Sequence, residues 1–171
     1  MERLRYEWTP QSGLPAASGR IVFHAEPDDE VFVDLFRQVL AKTLDAASRK
    51  EAEQIGAQAQ AHGDVGFYRD TMLGDRSWWR IARTPDGEVV GFGLPSRNVA
   101  FPVVGYLGVL PEHRGHGYAD EILSEITRIL VAEVAPEQVR ADTDLTNTPM
   151  AAALERVGYR KSGCRLVLSA H

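Results

Sequence analysis

The sequence predicts one mixed α/β domain over residues 1–171: a mostly antiparallel sheet with a single parallel pair, flanked by helices on both faces. Three observations predict it. Phe101 to Leu110 is an apolar, β-branched run that ends in the turn Pro111-Glu112-His113. Beyond it Ala119, Ile122, Leu123, Ile126, Ile129 and Leu130 recur at helical spacing. Gln138 to Thr143 then reads as another strand, and a strand-helix-strand unit of this length makes its two strands parallel. Finally, the strand-like runs Ser77–Ala82 and Glu88–Leu94 bracket Thr84-Pro85-Asp86-Gly87, which is the signature of an antiparallel hairpin.

The remaining elements follow in order. Leu4–Trp8 is a first strand, followed by a loop through Pro10, Gly13 and Pro15, and Arg20–Ala25 is a second. Pro27-Asp28-Asp29 supplies a helix start. Phe32, Leu35, Phe36, Val39 and Leu40 give that helix one apolar face. Ser48 to Ala61 has good helix propensity but only Ile55 as a large apolar residue, so it reads as a solvated cover. Residues 62–77 carry three glycines around Phe67, Tyr68, Met72 and Leu73, and Pro95–Asn98 reads as a loop. Thr148 caps a late helix with Pro149 in its first turn, Gly158 stops it, and Arg165–Ser169 is the last strand.

Composition sets bounds. A chain of 171 residues is long enough for a real core, burying roughly 70% of its unfolded surface. No apolar run approaches the roughly 20 residues that span a bilayer, and residues 1–8 lack a signal core, so no membrane role is expected. Cys164 is the only cysteine, which forbids an internal disulfide and points to the reducing cytoplasm. It reads as core packing beside Leu166 and Leu168. A net charge of −5 argues against a nucleic-acid footprint and suits a cationic acceptor such as an amine. His113 and His116 lie close together, but no further His, Cys or carboxylate cluster has ligand spacing, so no metal is expected.

Arg114-Gly115-His116-Gly117-Tyr118-Ala119 joins the central strand to its helix. Such a junction aims successive backbone N–H groups, and the positive end of a helix dipole, at one point where phosphate oxygens bind. The run Val109 to Ala119, with Arg114, Gly117 and Ala119 at the marked positions, resembles motif A of the GNAT superfamily of N-acetyltransferases. Asn147-Thr148-Pro149-Met150 with Leu154, Gly158 and Tyr159 resembles its motif B. Together they span about half the chain, Glu88 to Leu168.

The resemblance implies an acetyl-CoA-dependent N-acetyltransferase, acting by direct attack of a small-molecule or peptide amine in a ternary complex, and often dimeric. It implies that the backbone of Leu107, Gly108 and Val109 pairs with the pantetheine arm. Arg114, Gly115, His116, Gly117, Tyr118 and Ala119 would hold the pyrophosphate, and Asn147 would touch the arm or cap its helix. Arg114 either grips phosphate or forms a structural ion pair. Residues 62–77 are either a wall of the acceptor site or a plain connection.

Two departures from the family pattern stand out. Phe101 to Leu110 lacks the strand carboxylate that often serves as base, and Leu154 occupies the place of the usual tyrosine acid. Asp142 and Asp144 are the nearest carboxylates to the expected thioester, two apart on an extended backbone and so on one face. Either accepts a proton through water, or both are ordinary loop acids. Tyr106, Tyr118, His24 and Glu26 are further candidates. The departures also admit another expectation, a non-catalytic acyl-CoA sensor or interaction module.

Overall fold

Seven strands form one sheet in the computed structural model, which describes residues 2–43 and 46–166. They are β1 (Glu2–Trp8), β2 (Val22–His24), β3 (Arg80–Arg83), β4 (Val89–Arg97), β5 (Pro102–Val109), β6 (Val139–Asp144) and β7 (Arg160–Leu166). Side by side the order is β2-β3-β4-β5-β6-β1-β7, antiparallel throughout except between β5 and β6. The helices are α1 (Asp29–Leu40), α2 (Ala46–Ile55), α3 (Ala57–Gly66), α4 (Tyr118–Val134) and α5 (Thr148–Val157). This is the mixed sheet with one parallel pair that the sequence predicts, and α4 is the crossover between the parallel strands.

Strand β4 is sandwiched between α1 and α4, because alternate residues of a strand face opposite ways. On one face Phe92 meets Phe36 and Phe32 of α1, with ring centroids 4.9 and 6.2 Å apart. On the other face Gly91 and Gly93 bring α4 close. A Cβ on them would lie 2.8 Å from Ile122 Cδ1 and 2.9 Å from Ile126 Cδ1. Phe32, Phe36 and Phe92 are fully buried, each contributing about 1.5–3 kcal/mol. Asp28 starts α1 by accepting from Glu30 N–H at 2.9 Å. Beyond the parallel pair, Tyr6 and Trp8 of β1, Val139 of β6, and Leu123 and Leu130 of α4 build a second core with Leu154 and Tyr159.

Of the sheet's register irregularities, the one between β4 and β5 shapes everything near it. Leu94 pairs with Tyr106 and Ser96 with Val103, so Val104 and Gly105 of β5 stand against Pro95 alone. Gly105 takes up the extra residue at φ +75°, where a Cβ would collide with the Leu94 carbonyl oxygen. Proline fits at such an irregularity because it has no N–H to contribute to a ladder. Past Val103, which pairs with Arg140, no further β5–β6 register exists among the described residues, and the two strands part.

Several sequence expectations need correction. The helix expected over 48–61 is two helices, because Gly56 adopts φ +85° and ends α2. Nor is the second a solvated cover, since Gln60, Ala61 and Val65 of α3 are buried. Residues 76–78 form a 3₁₀ turn capped by the Asp75 carboxylate, so the strand expected from Ser77 begins at Arg80. Strand β4 runs through Pro95 and Ser96 to Arg97 because the bulge accommodates the proline. Asn147 rather than Thr148 caps α5. The last strand lies earlier than Arg165–Ser169, and residues 167–171 fall outside the described residues. Cys164 is exposed rather than packed in the core, because β7 is an edge strand and α5 stops at Val157.

Gly105→Ala should lower stability by about 2 kcal/mol or more, from positive-φ strain and the clash with Leu94. Urea unfolding measures it, and a neutral substitution would show that the bulge does not require glycine.

Candidate active site

A cavity of about 1010 Å³ opens where β5 and β6 separate. The direction of the β5 backbone there follows from two contacts. Leu110 N–H donates to Val90 O at 2.8 Å, and the Gly108 carbonyl abuts Gly91, so both residues point at β4. Alternation along the strand then turns the N–H and C=O of Leu107 and Val109 toward the gap. Leu107, Gly108 and Val109 all line the cavity.

At the mouth, Pro111–His113 form a 3₁₀ turn and the chain enters α4 through Gly115 (φ +85°) and Gly117 (φ +77°). No side chain caps α4, and the N–H groups of a helix's first turn have no intrahelical acceptor. The loop is braced from behind. Arg114 Nη1 donates to Lys42 O at 2.8 Å, tying it to the end of α1. The Arg20 guanidinium bonds the His116 carbonyl, lies 5.3 Å from the Tyr118 ring centroid, and sits 3.6 Å from Glu121 Oε1. His113 Nε2 lies 3.2 Å from Glu88 Oε1. Arg114, Gly115, Gly117, Tyr118 and Ala119 line the cavity, whereas His116 does not.

On β6, Arg140, Asp142 and Asp144 share one face, opposite Glu7, Arg5 and Arg3 of β1. Arg5 Nε lies 3.8 Å from Asp142 Oδ1, and Arg140 Nε lies 3.2 Å from Glu7 Oε1. Asp142 and Asp144 both line the cavity but differ in environment. Asp142 is exposed. Asp144 is 3% exposed and saturated: it accepts from Thr146 N–H at 2.7 Å, Thr146 Oγ1 at 2.6 Å and Ala46 N–H at 3.2 Å. Burial pushes its carboxyl up. The hydrogen bonds from Thr146 and Ala46, with the charge of Arg3, outweigh burial and hold it below the usual carboxylate range. Asn147 lines the cavity and also caps α5, its Oδ1 accepting from Met150 N–H at 3.3 Å.

The other candidates separate clearly. Leu154 is 1% exposed and packs in the core. Tyr159 is buried with its hydroxyl 2.7 Å from Thr127 Oγ1, and burial pushes that phenol well above its ordinary range. His24 is held in β2 by Arg83 at 3.2 Å; burial first, then the Arg83 charge, lowers its pKa. Neither His24 nor Glu26 lines the cavity, whereas Tyr106 and Tyr118 do. The 62–77 segment is more than a connection, since Asp64, Phe67, Tyr68 and Met72 form a cavity wall. Tyr68 reaches across to donate to the Gly105 carbonyl at 3.2 Å.

Sequence reading overlooked Arg3, Arg5 and Arg140. Arg140 was legible, because the alternation that pairs Asp142 with Asp144 includes it. Arg3 and Arg5 join this face only through a strand pairing more than 130 residues distant in sequence, which no local pattern reveals.

A family model of the acetyltransferase (GNAT) domain matches residues 23–160. The chain belongs to the GNAT acetyltransferase family. No curated protein matches its sequence. Among solved structures, a GCN5-related N-acetyltransferase from Sphaerobacter thermophilus is similar with a TM-score of 0.66 at 16% identity, over 95% of this chain and 49% of that one. A GNAT-family acetyltransferase from Colwellia psychrerythraea gives 0.62 at 13% identity, over 94% and 53%. AAC(6')-Iy in complex with the bisubstrate analog CoA-S-monomethyl-acetylneamine gives 0.57 at 17%, over 88% and 97%. At these identities the likeness is one of fold. This GNAT chain spans about half the length of the first two structures.

If the loop binds anions through its backbone, Gly117→Val should weaken donor binding by about 2 kcal/mol or more, since a β-branched residue opposes the φ of +77°. His116→Ala, outside the cavity lining, should cost about 1 kcal/mol or less. Acetyl-CoA titrations of both variants, with circular dichroism to confirm folding, decide between them. A larger loss from His116→Ala would refute backbone recognition.

Proposed function

We propose that this GNAT chain transfers the acetyl group of acetyl-CoA to a primary amine by direct attack within a ternary complex. The observation that carries the reading is the gap between β5 and β6, with the backbone groups of Leu107 and Val109 turned into it and the uncapped start of α4 at its mouth. Family membership supports acetyl-CoA as the donor. The pantetheine arm would lie along Leu107 to Val109 as an added strand. The pyrophosphate would sit on the amides of Arg114 to Ala119, and Asn147 would flank the arm.

The amine nitrogen forms its bond to the acetyl carbon, the C–S bond breaks, and the CoA thiolate takes up a proton while the nitrogen loses one. The Val109 N–H faces the gap where the carbonyl oxygen gathers charge, and such a donor stabilises the transition state. An alkylamine with a pKa of about 10.4 arrives as ammonium and must first be deprotonated. We assign that step to Asp142, directly or through one water, because Asp144 is committed to Thr146 and Ala46. Asp144 thereby positions the turn that carries Asn147.

One observation favours a second reading. Leu154 is buried where the family often has a tyrosine, and β5 has no carboxylate, as in a domain that binds acyl-CoA without turning it over.

Calorimetry should show binding of both acetyl-CoA and CoA, and a thiol-release assay should show amine-dependent turnover. Asp142→Asn should lower kcat roughly 100-fold with donor affinity unchanged. No donor binding at millimolar concentration would overturn the proposal. Binding without turnover on any amine would favour the second reading, and an unaffected Asp142→Asn would place the base elsewhere.

A further inference from the structure

The end of the cavity away from the α4 loop differs in character from the donor side. It is lined by Phe67, Tyr68 and Met72 from the segment after α3, by Tyr106 of β5, whose ring centroid lies 6.3 Å from that of Tyr68, and by Phe101 just before that strand. These rings are fixed before any ligand arrives. Tyr106 lies against Phe36 and Phe92, with centroids 4.4 and 5.7 Å apart. Tyr68 is anchored through its hydroxyl to Gly105 O and meets Phe67 edge-on at 5.3 Å. A preformed aromatic surface loses little freedom when a flat apolar body packs against it.

The apolar surface continues outward from this end. Phe67 is 46% exposed, Leu73 57% and Val99 90%. Leu73 N–H donates to Arg97 O at 3.0 Å, which sets Leu73 beside the β4–β5 connection that carries Val99. Large apolar side chains left in water beside an aromatic cavity surface mark a surface that an apolar ligand covers.

Charge narrows the ligand further. On the ring-bearing wall Asp64, one turn before Tyr68, is the carboxylate that lines the cavity. The facing strands present Arg3, Arg5 and Arg140, each opposite an acid, with the Arg140 guanidinium 3.9 Å from the Phe101 ring centroid. Guanidinium groups stay charged at every working pH, so that wall has no excess of negative charge to draw in a second or third ammonium.

Building on the acetyltransferase reading, we infer that the acceptor is a monoamine carried on an apolar, ring-sized body, seated against the joint surface of Tyr68, Tyr106, Phe67 and Met72, and that polycationic amines are discriminated against. The body displaces water from Phe67 and Met72, which leaves its single ammonium directed to Asp142, the acid assigned to take its proton.

The test is a set of calorimetric titrations of the CoA-saturated protein with 2-phenylethylamine, spermidine and kanamycin. The expected Kd for 2-phenylethylamine is at least about tenfold below either polycation. Phe67→Ser, at a half-exposed position where folding is tolerant, should weaken it about fivefold with the Kd for CoA unchanged. Spermidine or kanamycin binding as tightly as 2-phenylethylamine would overturn the inference. So would an absence of 2-phenylethylamine binding up to about 10 mM, or a Phe67→Ser variant that binds it undiminished. Titration with CoA alone separates the two readings. CoA that does not bind removes the donor reading and this inference together, whereas CoA that binds without preference among the amines removes only this one.

Discussion

The candidate site depends on a single steric constraint, the passage of the β5 backbone beneath the Leu94 carbonyl at Gly105. A residue with a Cβ does not fit there, so the strand accommodates its extra residue only as glycine at positive φ. The bulge bends β5, and the parallel pairing with β6 ends at Val103. A continuous ladder would have used the backbone groups of Leu107 and Val109 within the sheet. Their direction into a cavity is therefore a consequence of the interruption. Tyr68, hydrogen-bonded to the bulge carbonyl, couples the same point to the wall on the far side of the cavity.

A sheet that parts in its middle needs support on each side of the opening. The aromatic cluster of α1 with Phe92 and Trp79 secures the β4 side on one face, and α4 secures it on the other by packing Ile122 and Ile126 onto Gly91 and Gly93. Leu123 and Leu130 of α4 join the core that holds Val139 of β6 with Tyr6 and Trp8 of β1. Because α4 also starts at the cavity mouth, the contacts that stabilise the fold fix the direction of its N-terminus. Arg20 and Arg114 brace the loop further, through the His116 and Lys42 carbonyls. Side chains thus hold the loop in shape and leave the start of α4 without a side-chain cap. Asp144 plays the matching part on β6, where its bonds to Thr146 and Ala46 fix the turn leading to Asn147.

Much of this was legible in the sequence where the signal is local. The helical period of α4, the apolar face of α1, the hairpin around Gly87 and the glycines of the α4 loop follow from spacing and residue type alone. The break at Gly56 was missed because the Ala- and Gln-rich stretch around it has high helix propensity, and a single glycine does not announce a left-handed turn. Pro95 suggested a loop, although its partner strand bulges at the one place that accepts proline. The acceptor side was the least legible part. Tyr68 meets Tyr106, and Arg5 meets Asp142, only through contacts between residues distant in sequence. Cys164 was misplaced for a similar reason, since its exposure follows from β7 being an edge strand.

The central claim is that the gap opened by Gly105 receives the donor as an added strand, and amide hydrogen exchange followed residue by residue by NMR tests it most directly. The Leu107 and Val109 amides, turned away from β4, should exchange readily in the free protein and slow by about tenfold or more on saturation with CoA, while Gly108, already facing β4, changes little. Unchanged exchange at Leu107 and Val109, with CoA shown to be bound, would contradict the account.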